Sequence, residues 1–274
     1  MFDFNLFSGI IFVLLLGSLA AKYGLISHEG ILASIIIGLA IYVFGGLNWF
    51  VLLGAFFLLA TVAGKYKSRE KKETEKEFEK GGTRDFWQVG ANGAFAALIA
   101  VVHHFFPFAP LYFAFLGTIA TVTADTVATE VGVLSRTAYL VTNFKKVPRG
   151  VSGGVSLLGL GVSLVSALLI GLFAVAVNQV LPSTNSLKGA IWLVILVTTA
   201  SGFFGSLADS LLGATLQVMY YCPKCRRETE KEVHKCGTRT RYVKGLKIVN
   251  NDTVNLLSSM AGAVFAVILY FLLK

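Results

Sequence analysis

Charge is what this sequence has least of. Of its 274 residues only 14% are Asp, Glu, Lys or Arg, while 55% are hydrophobic, and the mean hydropathy is +0.72. The longest polar stretches run about 20–30 residues, too little to bury a core, so a separate soluble domain is excluded. Familiar catalytic signatures are also missing. Without GxxxxGK[ST] there is no P-loop for a nucleotide, and without HExxH, Ser–His or Cys–His arrangements there is no activated nucleophile. The run Gly150-Val-Ser152-Gly-Gly154 fits GxSxG formally. A nucleophile elbow needs a strand–turn–helix context and a His, however, and His103 and His104 fall near the opposite membrane face.

What is present is apolar runs of spanning length, and a helix needs ~20 mostly apolar residues to cross a bilayer. Candidate spans lie near 4–21, 30–45, 49–64, 92–106, 110–128, 155–181, 189–207 and 252–273. They predict an all-α fold: one integral membrane domain over 1–274 with about eight membrane helices. Ser18-Leu19-Ala20 resembles a signal-peptidase site, but the first span is read as a retained helix.

The net charge of +9 is concentrated. Of 24 Lys and Arg, eight lie in 65–84, four in 136–149 and nine in 222–247. The positive-inside rule makes these three loops cytoplasmic and puts both termini outside. Topology and anionic lipid headgroups account for the basic clusters, so membrane lipid is an expected partner and nucleic acid is not. Three features interrupt the membrane domain: a charged loop with helix-forming composition at 65–84, a basic Gly-rich loop at 136–154 and a polar insert at 221–250.

Against this background acidic residues in apolar segments stand out, because an ionisable group there costs at least a few kcal/mol and marks function by default. Asp125 and Glu130 end the fifth span and Asp209 sits in the seventh. Thr121, Asp125 and Thr129 share one helical face, as do Gly205, Asp209 and Gly213, while Glu130 lies about 140° from Asp125. A helix that ends or kinks near Glu130 could aim both carboxylates at one site. Carboxylates near phosphates most often hold Mg²⁺, which makes Asp125 and Asp209 the metal candidates, with Glu130 a third ligand or a positioning group.

The loop Lys145-Lys146-Val147-Pro148-Arg149-Gly150-Val151-Ser152-Gly153-Gly154 runs into a helix N-terminus. Lys145, Lys146 and Arg149, with backbone donors at Gly153 and Gly154, form a candidate anion site. Asn92, Asn251 and Asn255 open spans on the same face and could orient nucleotide or lipid phosphate, with interhelical hydrogen bonding the competing reading. In the insert, Cys222-Pro-Lys-Cys225 followed by His234-Lys-Cys236 supplies a Cys₃His set suited to structural zinc.

Five strings carry a family resemblance: QVGANGAFAAL, TADTVATEVGVLS, KKVPRGVSGGVSLLG, GFFGSLADSLLGATLQ and NNDTVNLLSSMAGA, covering about 84–262. They resemble the signature segments of the polytopic family that includes plant phytyl-phosphate kinase and animal transmembrane protein 19. The resemblance implies phosphoryl transfer from a nucleoside triphosphate, CTP or another NTP, to an isoprenyl monophosphate, giving the diphosphate. Nucleotide and isoprenoid lipid phosphate are then the partners and Mg²⁺ the cofactor. Alternatives are a cytidylyltransferase making a CDP-lipid and, in a different class, a membrane transporter or channel.

Overall fold

The computed structural model describes residues 26–66, 84–181 and 191–274, with six further positions between 10 and 18. Most of the expected first span, 4–21, and most of the charged loop 65–84 therefore lie outside the described residues, and so does the stretch 182–190. Among the described residues seven helical segments are long and apolar enough to cross a membrane. These are α1 (His28–Ala40, extended by a π-helical turn over Ile41–Gly45), α2 (Leu47–Lys65), α3 (Phe86–Phe105), α4 (Ala109–Gly132), α5 (Leu157–Val180), α6 (Ile191–Thr215) and α7 (Asn251–Leu273).

Three of these helices run further than the sequence suggested, and α3 begins at Phe86 where a start near 92 was expected. The expected ends at 128 and 207 fall short of the observed Gly132 and Thr215, because polar residues there face neighbouring helices and loops instead of breaking the helix. Helix α4 is central: 72% of its spanning window is buried, against 28–44% in the other six. Its three buried threonines are compatible with that burial because each of their hydroxyls is satisfied. Thr118 donates to Ala114 O at 2.9 Å and Thr123 to Ile119 O at 2.6 Å, bonds back to the preceding turn. Thr121 instead donates across to Ser201 O of α6 at 3.3 Å.

Small residues let the neighbours approach α4. A Cβ on Gly202 would lie 2.7 Å from the Ala120 Cβ and 2.8 Å from the Ala167 Cβ, joining α4, α5 and α6. A Cβ on Gly117 would meet Gly262 O of α7 at 2.7 Å. Thr121 itself occupies the space that side chains at Gly205 and Gly262 would need.

The helix starts after the basic loops are capped by side chains that take an otherwise orphaned backbone N–H. Asp85 accepts from Gln88 N at 2.9 Å, Ser156 from Gly159 N at 3.0 Å and Asn250 from Thr253 N at 2.9 Å.

The all-α expectation holds for the membrane body; two small sheets stand in its loops. Between α4 and α5, β1 (Ala138–Leu140), β2 (Lys146–Val147) and β3 (Gly154–Val155) form an antiparallel sheet in the order β2-β1-β3. Between α6 and α7, β4 (Met219–Cys222), β5 (Arg227–Thr229) and β6 (Arg241–Lys244) form another, in the order β5-β4-β6. Residue Gln217 joins the second sheet to the bundle. It bridges Leu246, and Val218 N donates to Val249 O at 2.8 Å just before α7 begins.

Candidate functional site

The C-terminal ends of α4 and α6 and the N-terminal ends of α5 and α7 surround a polar cavity of about 90 Å³. The two aspartates meet there: Asp125 from α4 and Asp209 from α6 both line it. The opposite wall is the glycine loop, with Arg149, Gly150, Ser152, Gly153 and Gly154, and Asn251 closes the cavity from α7. Asp209 Oδ2 accepts a hydrogen bond from Ser258 Oγ at 3.0 Å, which orients that carboxylate from a second helix.

Glycine is required at 153 for two reasons. Its φ of 79° is left-handed, and any side chain there would collide with Ala214 of α6. The loop can therefore lie flush on the helix that carries Asp209. Gly154 donates its N–H to Val151 O at 2.9 Å, so that donor is already engaged within the turn. Arg149 reaches Val133 O at 3.5 Å, the long edge of a hydrogen bond.

Two polar atoms on the cavity wall are buried without a partner among the described residues: Gln217 Nε2 and Ser163 Oγ, each on a side chain only 1% exposed. Buried polar groups are nearly always paired, so orphans on a cavity wall point to a ligand. The other end of the Gln217 amide is held, since Ser152 donates its hydroxyl to Oε1 at 2.5 Å. Neither residue stood out in the sequence. Gln217 is an ordinary amide after an apolar run, and only its burial beside the glycine loop reveals it.

The remaining sequence candidates lie elsewhere. Helix α4 continues through Glu130 without a break, so Glu130 points away from the aspartates. Its carboxylate lies 3.8 Å from where a Cβ on Gly64 of α2 would be. There it faces Arg84, whose guanidinium is held below its ordinary pKa by burial, with the Glu130 charge opposing that shift. Arg84, a loop charge by sequence, sits over the Phe57 ring at 5.9 Å and, with Asn92, lines a second, apolar cavity of about 120 Å³ between α1, α2 and α3. Lys145 and Lys146 are exposed at the β1–β2 turn. Asn255 is half-buried in α7, its carbonyl accepting from Ser258 Oγ at 3.0 Å.

In the insert the four ligand atoms of Cys222, Cys225, His234 and Cys236 lie within 4.8 Å of one another. Cys222 and Cys236 sulfurs are 3.7 Å apart, and His234 Nδ1 is 3.1 Å from Cys236 Sγ. Two sulfurs bound at ~2.3 Å to a tetrahedral zinc would be separated by about 3.8 Å. Hydrogen bonds from Thr238 and then His234 hold the Cys236 thiol down at about 5. The bond to Cys236, followed by burial, pushes Cys225 up to about 11. A metal bound here would take its sulfurs as thiolates.

Seven long apolar helices define a multi-pass integral membrane protein, with a polar site at one end of its bundle. The chain belongs to the integral membrane protein DUF92 family, whose model matches residues 11–263. It is 30% identical to the uncharacterized membrane protein MJ0933 of Methanocaldococcus jannaschii, over 97% of this chain and 94% of the relative. It is also 30% identical to Protein PGR of Arabidopsis thaliana, over 91% and 92%. Identity to the chloroplastic protein VTE6 of Arabidopsis thaliana is 27%, over 94% of this chain and 68% of that protein. No solved structure matches the fold.

Proposed function

We propose that this protein is a lipid-phosphate kinase that transfers a phosphoryl group from CTP or another nucleoside triphosphate to an isoprenyl monophosphate. The observation that carries this reading is the meeting of Asp125 and Asp209, from two different helices, in one small polar cavity walled by the basic glycine loop. Phosphoryl transfer needs charge neutralisation and alignment more than covalent chemistry by the protein, and those are what this wall of acids, Arg149 and amide donors offers. The family resemblance to phytyl-phosphate kinase supplies the substrate class.

In this reading Asp125 and Asp209 would hold Mg²⁺, which supplies neutralisation of the phosphate oxygens when bound. Arg149 binds a phosphate, and Gln217 Nε2 and Ser163 Oγ donate the hydrogen bonds they otherwise lack. An oxygen of the lipid phosphate attacks the terminal phosphorus of the donor. The bond from that phosphorus to the bridging oxygen breaks, and the nucleoside diphosphate leaves with that electron pair. The attacking oxygen is already ionised, so no strong general base is needed.

The apolar cavity beside Arg84 and Asn92 is suited to the prenyl chain. The cavity with the aspartates lies among loops at one end of the bundle, which supports an enzyme over a transporter, whose site belongs near the midplane. The basic loops argue that this end is cytoplasmic, in a cell membrane, with the termini outside. The Cys₃His cluster would hold structural zinc, its four protein ligands leaving no open position for chemistry.

The test is purified protein in lipid nanodiscs with Mg²⁺, labelled CTP or ATP and a panel of prenyl monophosphates, read by thin-layer chromatography. Prenyl diphosphate formation is the expected result. A CDP-lipid product would replace the kinase with a cytidylyltransferase, and no product with any donor would remove both.

A further inference from the structure

Beside the inner cavity lies a larger groove of about 430 Å³. One wall is Val147, Pro148 and the loop Gly150–Ser152; the other is the insert, with Tyr221 from β4 and Arg226 to Lys231 along β5. Gly150, Val151 and Ser152 line both spaces, so the two adjoin across this short stretch of backbone. Their sizes differ in a way that matters. At about 90 Å³ the inner cavity has room for phosphate groups and not for a whole nucleotide, whereas about 430 Å³ falls within the ~300–1,000 Å³ of small-molecule sites.

The chemistry of the outer wall fits the rest of the donor. Tyr221 is an exposed aromatic on a strand, a platform on which a nucleobase can stack. Glu228 and Glu230 can accept from base amino or ribose hydroxyl groups, and Arg226, Arg227 and Lys231 can donate to base carbonyl and ribose oxygens. Arg226 is notable for its backbone. It closes the turn after Cys225 with φ 53°, its N–H donating to Cys222 O at 2.8 Å. Glycine would make that left-handed turn without strain; an arginine there brings a guanidinium to the groove.

We infer that the outer groove is the nucleoside subsite for the phosphoryl donor, and that the Cys₃His insert is therefore a nucleotide-binding module as well as a folded appendage. This rests on the phosphotransferase reading above. The base and ribose lie against Tyr221 and β5, and the phosphate chain crosses residues 150–152 so that its terminal groups enter the inner cavity.

The test uses the full chain in nanodiscs, with CTP and ATP as nucleotide probes and inorganic tripolyphosphate as a probe lacking the nucleoside. The variants are Tyr221→Leu and Arg226→Gly, the second keeping the turn. Unchanged thermal unfolding shows that each is folded. Each is expected to weaken CTP or ATP binding by roughly five- to hundredfold, the range that base stacking and charged contacts span. Tripolyphosphate binding and the KM for prenyl phosphate should stay within about twofold, since those contacts lie elsewhere. If nucleotide binding is unchanged while Arg149→Ala weakens it, the nucleoside lies outside this groove and the kinase reading survives. Equal losses for nucleotide and tripolyphosphate would also overturn the nucleoside assignment. If wild-type protein binds neither CTP nor ATP, both readings fall together.

Discussion

Ser258 of α7 donates its hydroxyl to Oδ2 of Asp209 on α6 at 3.0 Å, so one candidate catalytic carboxylate is aimed by a neighbouring helix. A charge-assisted bond of this kind is worth ~1.5–3 kcal/mol. Ser258→Ala is expected to lower kcat about tenfold while Asp209→Asn abolishes turnover, because losing a proposed Mg²⁺ ligand would cost several kcal/mol of charge neutralisation. Steady-state phosphotransfer with prenyl phosphate measures both; a Ser258→Ala enzyme slower than Asp209→Asn would reverse these roles.

Asp125→Asn and Glu130→Gln should separate cleanly. The first removes a carboxylate from the cavity and is expected to abolish turnover. The second leaves the cavity intact but strips the half-buried Arg84 of a nearby opposite charge, so it should lower thermal stability by about 1 kcal/mol with a smaller effect on kcat. Parallel melting and activity curves check this, and equal kcat losses in the two variants would return Glu130 to the site.

Gln217→Leu removes the acceptor for Ser152 and the orphaned Nε2 donor together. The expected result is a rise of about tenfold in the nucleotide KM, by loss of one phosphate contact worth ~1.5 kcal/mol. A variant of unchanged KM would mean that the amide serves only to hold the loop.

Among the basic residues, Arg149→Ala should raise the KM for nucleotide or lipid phosphate at least about tenfold. Lys145→Ala should do much less, since Lys145 is exposed at the turn of β1 and β2 and Arg149 is on the cavity wall. Initial-rate kinetics at fixed ionic strength compare them. Equal effects would signal a loop that closes over the phosphates.

Elemental analysis of protein purified without chelator is expected to find about one zinc per chain, bound by the Cys₃His cluster. Cys225→Ser or chelation should lower protease resistance of the insert, since metal binding and folding are coupled in so short a segment. A metal-free preparation with full resistance, or a Cys222–Cys225 disulfide, would rule this out.

The sequence made the helices legible because a run of apolar residues near 20 has few other fates, and it made Asp125 and Asp209 conspicuous because charge in such runs is costly. Spacing alone assembled Cys222, Cys225, His234 and Cys236. Other features could not be read. Strands of two to four residues are too short to show periodicity, so both sheets were invisible. Arg84 looked like one more loop cation, yet it packs on Phe57 near Glu130.

Local chemistry and the presence of the apolar helices were thus determined by the sequence, since both depend on residues close together in the chain, whereas the ends of α4 and α6 depend on what their polar last turns meet. Which carboxylates share a site was decided only in three dimensions. Helix α4 continues unbroken through Glu130 and rotates it toward α2, whereas Gly202 and Gly205 let α6 lie close enough to bring Asp209 to the cavity of Asp125. Burial of the Gln217 amide against Ser152 has the same origin: it depends on residues 65 positions apart, and backbone proximity at Gly153 and Ala214 sets it.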